Sequence, residues 1–159
     1  MASKTDNYRI IAQNRRVSYD YFIETEFEAG IVLLGSEIKS IRDGKANIKS
    51  AFVDIDKNGE CYLVNASIQP YKLSTVFNHE EKRGRKLLLN KKEIKKIMGK
   101  IKLAGYTCVP LVLYINNKNI AKVKIAIVKG KKNYDKRESI KEKDWQREKA
   151  LIMKQGKYR

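Results

Sequence analysis

The sequence predicts a mainly β protein: a small antiparallel barrel of the oligonucleotide-binding type, with about six strands and at least two packed helices. Short runs rich in β-branched and aromatic residues recur through residues 1–128, and two helical segments interrupt them. Charged residues without apolar periodicity dominate residues 129–159. We therefore expect one folded body, 1–128, and a basic C-terminal tail, 129–159, that is disordered when free.

Net charge is the strongest compositional signal. The 159 residues carry +17, of which +10 lies in residues 1–128 and +7 in residues 129–159. A basic excess spread over body and tail favours nucleic acid as the partner over an anionic membrane or a merely solvated surface. Because the chain has no long apolar run and no signal-like start, we expect a cytoplasmic protein without membrane contact.

Residue types typical of catalytic and metal sites are scarce. Cys61 and Cys108 lie in apolar, strand-like surroundings, which favours buried thiols over a disulfide or a metal site. The single histidine, His79, lies in a polar loop and is expected to be exposed. Without a P-loop or a glycine fingerprint, nothing indicates an enzyme, and we expect no catalytic residue, metal or cofactor.

Period-two alternation predicts strands along the first half of the body. Gly30 is expected to turn the chain between the first two strands, and Asn58-Gly59 is a hairpin signal between the last two. The expected strands cover residues 19–27, 31–34, 47–56 and 60–68.

A short basic helix is expected after the second strand. Ser36 can cap its start and Gly44 can end it. Ile41 would face the core, and Lys39 and Arg42 would lie on the surface, where they can neutralise phosphates.

A longer helix is expected in the second half. Asn90 and Glu93 have the spacing of a capping box, and apolar residues recur at helical spacing from Ile94 to Ala104. The pattern predicts about four turns that end before Gly105.

Two strands, 106–115 and 120–128, are expected to complete the body. Pro110 indicates an edge or a bulge in the first. In the second, Val123, Ile125 and Ile127 share one side, as in a half-buried strand.

Eight segments resemble one family in order and spacing. They are residues 14–16, 20–24, 27–31, 35–42, 44–47, 85–90, 122–124 and 130–137. On these segments the chain resembles small protein B, the SsrA-binding proteins. The resemblance implies a barrel with helices that binds the tRNA-like domain of transfer-messenger RNA and delivers this RNA to stalled ribosomes for trans-translation, standing in for the missing anticodon arm.

The resemblance also implies site residues. Those on or supporting the RNA-binding face would be Asn14, Glu28, Lys39, Arg42, Leu88 and Lys122. Tyr19 or Tyr21 can stack on a base or a ribose, whereas Glu28 suits either a base-edge hydrogen bond or a structural salt bridge.

The tail would meet the rRNA of the decoding centre and the mRNA channel, and become helical there. Its implied residues are Gly130, Lys131, Lys132, Tyr134, Asp135, Lys136, Arg137, Trp145, Ile152 and Met153. Tyr134 stands where other members often have histidine. Tyrosine can still stack on rRNA, but it lacks the protonatable ring of histidine. We expect a monomer. The competing interpretation is a general basic RNA binder, such as a ribosomal protein or an RNA chaperone.

Overall fold

The computed structural model describes residues 8–73, 78–132, 137 and 140–149. These residues form nine strands and three helices, followed by helical residues 140–149. The elements in chain order are β1 (Arg9–Gln13), α1 (Val17–Asp20), β2 (Tyr21–Ile31), α2 (Gly35–Arg42), β3 (Ala46–Asn47), β4 (Phe52–Ile55), β5 (Cys61–Val64), β6 (Ser67–Ile68), β7 (Arg85–Leu88), α3 (Lys91–Ile101), β8 (Tyr106–Ile115) and β9 (Ala121–Gly130).

Seven strands form one antiparallel sheet in the order β1-β8-β9-β2-β7-β5-β4, and β3 pairs with β6. The sheet bends back on itself, because β4 contacts β8 and β3 contacts β1. The mainly β architecture with packed helices is therefore confirmed, with more strands than the six expected and with a curved sheet whose edge strands β1 and β4 do not pair.

The core lies inside this curved sheet. Val123, Ile125 and Ile127 of β9 are fully buried, as their alternation predicts, and Cys61 and Cys108 are buried free thiols. A smaller second cluster lies on the opposite face of β8 and β9; its buried members are Val17, Val109, Leu111, Ala126 and Val128. Residues 125–128 of β9 are therefore buried on both faces, which the alternating pattern of a half-buried strand does not predict.

Gly30 does not turn the chain, contrary to the expectation from sequence. It pairs with Leu88 of β7 and with Lys122 of β9, so β2 continues through it to Ile31. Pairing on both sides overrides the weak strand preference of glycine. The strand also begins later than expected, at Tyr21, because residues 17–20 form α1.

The two strands expected at 47–56 and 60–68 are each divided. A turn in which Ala51 N–H donates to the carbonyl of Ile48 separates β3 from β4. Asn65, at φ 65°, separates β5 from β6. The hairpin between β4 and β5 is confirmed, with Gly59 at φ 78° in the left-handed region.

The capping box of α3 is confirmed: Asn90 Oδ1 accepts from the N–H of Glu93 at 2.9 Å, and Glu93 Oε1 accepts from the N–H of Asn90 at 3.2 Å. The helix ends at Ile101, short of the four turns expected. Pro110 lies at a bulge in β8, one of the two expected alternatives.

Candidate nucleic-acid interface

Three of the expected RNA-binding residues lie on the outer face of the sheet where β7, β2 and β9 run side by side. Gly30 of β2 pairs with Leu88 on one side and with Lys122 on the other, and Glu28 lies two residues before Gly30. Their chain neighbours Ala29, Leu87 and Val123 are buried in the core. Successive strand residues point to opposite faces, so Glu28, Leu88 and Lys122 point outward together.

Glu28 is exposed on this face, opposite Lys124 in the pairing of β2 with β9. Lys124 makes its salt bridge with Glu26 instead, at 3.5 Å, and within the described residues Glu28 takes part in none. Of the two roles left open by the sequence, the structural salt bridge is not formed. Glu28 lines a cavity of about 390 Å³ with Tyr8, Tyr114 and Lys124, so its carboxylate borders a concave surface that contains aromatic rings and a cation.

Lys39 and Arg42 lie exposed on α2, as expected. The Lys39 ammonium stands 5.6 Å from the centroid of the Tyr71 ring. Gly44, at φ 75°, follows the end of the helix, and Ile41 on the opposite face is fully buried. Ser36 is not the N-cap: Leu34 occupies that position, and its N–H donates to Glu37 Oε1 at 2.8 Å.

A buried ionic network anchors α2, and the sequence analysis missed it. Glu37 and Arg85 have fully buried side chains, and Arg85 and Arg83 both donate to the Glu37 carboxylate. Arg85 also donates to the carbonyls of Ala66 and Glu81, at 2.9 and 3.1 Å. One of the clustered basic residues at 82–86 therefore faces inward. Its partners Glu37 and Ala66 come from distant segments, and Glu81 lies four residues before it.

His79 is buried as well, contrary to the exposed position expected. Its ring lies between two partners, with Nδ1 2.9 Å from Ser36 Oγ and Nε2 2.8 Å from the carbonyl oxygen of Ile68. Since α2 begins beside Ser36, the histidine joins that helix to β6. Its role here is structural.

Asn14 and Tyr21 lie in a different place. They line a cavity of about 900 Å³ at the start of β2, together with the exposed cations Arg15, Arg16 and Lys49. Arg16 also stands 5.4 Å from the ring centroid of Tyr19. Glu28 lies seven positions after Tyr21 along β2, about 23 Å at 3.3 Å per residue. The structure therefore does not bring the two groups together.

The boundary between body and tail differs from the expected one at residue 128. Gly130 is the last residue of β9 and pairs with Tyr21. Lys131 N–H donates to the carbonyl of Asp20 at 2.9 Å, and Lys131 Nζ lies 4.8 Å from the Phe22 ring centroid. The first residues assigned to the tail therefore lie on the barrel.

Further along the tail, Lys132, Arg137 and Trp145 are exposed, and Trp145 lies within helical residues 140–149. The expectation that the tail is disordered when free and becomes helical on the ribosome stays a prediction. The remaining tail residues named above are outside the described residues: Tyr134, Asp135, Lys136, Ile152 and Met153.

The described ranges contain neither a membrane-spanning helix nor a metal-binding cluster. No helix there has the length and apolarity to cross a membrane. No group of three His, Cys, Asp or Glu side chains in the same ranges is arranged to hold a metal ion.

Comparison with known proteins gives a consistent result. The family model SmpB, described as SmpB protein, matches residues 11–155. An SsrA-binding protein of Paracoccus denitrificans is 50% identical over 157 residues, covering 98% of this chain and 100% of the relative. An SsrA-binding protein of Wolbachia pipientis wMel is 56% identical over 145 residues, covering 91% and 97%. A solved structure described as "tmRNA-SmpB: a journey to the center of the bacterial ribosome" is 42% identical with a TM-score of 0.64, covering 76% of this chain and 84% of that one.

Proposed function

Because the chain belongs to the SmpB protein family, we propose that it binds transfer-messenger RNA and acts with it on the ribosome in trans-translation. The observation that carries the proposal is a family match over residues 11–155, together with SsrA-binding relatives of about 50% identity over nearly their whole length. The RNA-associated solved structure at TM-score 0.64 supports the same function through the fold. Such a protein acts in the cytoplasm, as a monomer and without catalysis of its own.

The outer face at β7, β2 and β9 is the proposed contact with the tRNA-like domain. Lys122 neutralises phosphate and Leu88 packs on a base. The Glu28 carboxylate, which has no salt bridge to any described residue, accepts a hydrogen from a base edge or a 2′-hydroxyl. Lys39 and Arg42 add phosphate contacts from α2, since both are exposed and the helix is fixed by buried partners.

Asn14, Tyr19 and Tyr21 form a second contact at the start of β2. The cavity beside them combines cations with aromatic rings, which suits an RNA strand with an unstacked base. The tail, from Lys131 onward, contacts the ribosome. Its lysines and arginines neutralise rRNA phosphates in an empty mRNA channel, and the tail becomes helical there. Lys131 and Lys132 start this segment beside the same cavity, because Gly130 pairs with Tyr21.

The competing function is general, charge-driven RNA binding. The two functions differ in whether the protein discriminates between RNAs. We would measure the affinity of the full chain for the tRNA-like domain and for an unrelated structured RNA of equal length, at about 0.15 M salt, where loose phosphate contacts are largely screened. Selective, tight binding of the tRNA-like domain supports the proposal. Equal, weak binding of both RNAs contradicts it and leaves only charge-driven association.

A further inference from the structure

Gly30 occupies a strand position at which the backbone does not require glycine. The described residues include three glycines at positive φ, Gly44, Gly59 and Gly105, and Gly30 is not one of them. It lies inside β2 and is paired on both sides, where glycine is less favourable than alanine. A glycine in such a position usually marks a place where another group approaches the backbone closely.

The group that approaches is the side chain of Leu88. A Cβ added to Gly30 would lie 3.2 Å from Leu88 Cβ and 3.3 Å from Leu88 Cδ1. The leucine side chain therefore leans across the bare backbone of the neighbouring strand. It is nevertheless 55% exposed, so its other side is open to solvent.

The uncovered backbone of Gly30 and the side chain of Leu88 together form a shallow apolar surface on the outer face of the sheet. Val32, two residues after Gly30, is 45% exposed and points the same way, because Ile31 between them packs on the core. Glu28 and Lys122 lie at the border of this apolar surface and carry one negative and one positive charge. An exposed apolar surface inside a charged rim is typical of a binding site.

We propose that Gly30 is a positioning residue for RNA: it lets Leu88 lie flat, so that an unstacked nucleobase can pack on Leu88 and the bare strand. The inference rests on the proposed function and adds a residue and a contact to it. A flat base needs a surface without a projecting side chain. A Cβ at position 30 would stand on that surface and would require Leu88 to shift by a few tenths of an ångström. The neighbouring Glu28 carboxylate and Lys122 ammonium match the edge of a base and its phosphate.

The test is Gly30→Ala, with affinity for the tRNA-like domain measured on the full chain. We expect a loss of about tenfold, within the range for one stacked base, while the circular dichroism spectrum stays that of the native protein. Gly99→Ala is the matched control, because a Cβ there meets nothing within 4 Å, and it should bind as the parent does.

A double-mutant cycle separates positioning from general damage. Leu88→Ala should lose a similar amount alone, and adding Gly30→Ala to it should cost less than about twofold more, since the two residues act through one contact. The double variant removes Cγ and Cδ1 of Leu88 but keeps its Cβ, so part of the crowding is relieved. If Gly30→Ala alone folds poorly, a loss of more than twofold on adding Gly30→Ala to Leu88→Ala overturns the inference.

Two results would overturn the inference: a folded Gly30→Ala that binds within twofold of the parent, or losses that multiply in the double variant. Both are distinct from failure of the proposed function, in which the parent protein itself would not prefer the tRNA-like domain over unrelated RNA.

Discussion

The Glu37 carboxylate is the most constrained charged group among the described residues. Burial by itself raises its pKa, but hydrogen bonds from Arg83, from the N–H of Leu34 and from Arg85 outweigh that effect, so the pKa of Glu37 lies below its ordinary value. Because the folded pKa is lower than the unfolded one, the stability that Glu37 contributes is fully present above its unfolded pKa. It is lost as the pH falls through the folded value.

Glu37→Gln should therefore lower the free energy of unfolding at neutral pH by about 3–5 kcal/mol, because it leaves Arg85 buried without its counter-charge. Urea unfolding at pH 7 and at pH 3 measures both effects. The difference between variant and parent should shrink at pH 3, because the carboxylate of the unfolded parent then takes up a proton that the folded state resists.

Glu60→Gln is the matched control, since Glu60 and Lys86 form an exposed ion pair. It should change unfolding far less. An equal loss in the two variants would show that burial of the Glu37 network is energetically unimportant.

Cys108 should be chemically inert in the folded protein. Burial raises the pKa of this thiol to about 12, so almost no thiolate exists at pH 8, and the side chain is also inaccessible. A thiol reagent such as Ellman's reagent should react with Cys61 and Cys108 only after denaturant is added. Rapid reaction of the native protein at pH 8 would mean that the barrel opens readily around these residues.

At the scale of elements, the sequence specifies the start of α3 almost completely. Asn90 caps the helix through its own side chain, and Glu93 returns the bond within the same turn. Both bonds span three residues, so they form whenever the local backbone is helical. Because the partners are so close in sequence, the spacing of Asn90 and Glu93 alone predicts both hydrogen bonds.

Asn90→Ala should cost about 1 kcal/mol of stability, because the N–H of Glu93 loses its acceptor. The denaturation midpoint measures the change. Asn117→Ala, at an exposed turn position, is the control and should leave the midpoint nearly unaltered. A midpoint unchanged in Asn90→Ala would mean that water or another acceptor replaces the cap.

In strand β2, by contrast, distant residues override the local preference of the sequence. Its sequence contains Glu28-Ala29-Gly30, which by local preference indicates a turn, yet the structure has a continuous strand. The outcome depends on β7 and β9, which lie more than fifty residues away in sequence and pair with Gly30 from both sides. Local propensity is weak in strands, so the pairing partners decide.

At the scale of the whole molecule, the barrel and the tail should separate RNA recognition from action on the ribosome. Replacing Asp135, Lys136 and Arg137 by alanines should leave affinity for transfer-messenger RNA within a few-fold of the parent, because the proposed contact lies on the sheet and α2. Tagging of proteins from stalled ribosomes in a reconstituted translation reaction should be abolished.

Lys39→Ala/Arg42→Ala provides the reciprocal control for that experiment. These residues lie on α2, and their loss should weaken RNA binding and reduce its salt dependence by about one released counterion for each contact removed. If the tail variant loses RNA affinity instead, the proposed division between barrel and tail is wrong.

Several features were determined by the sequence alone, because each depends on residues close together in the chain or on composition. The alternation of Val123, Ile125 and Ile127, the capping box at Asn90, the hairpin glycine Gly59 and the basic excess are of this kind. The ordered segments that resemble one family also needed no structure, and the family match confirms them.

Other features were decided only by the tertiary structure, because their partners are distant in sequence. In the sequence, Arg85 resembles the surface cations around it, because its partner Glu37 lies 48 positions earlier in the chain. His79 becomes structural through Ser36, and Gly30 becomes a candidate for RNA contact through Leu88. The separation of Asn14 and Tyr21 from Glu28 and Leu88 likewise follows from strand pairing and register, which fix positions along a sheet.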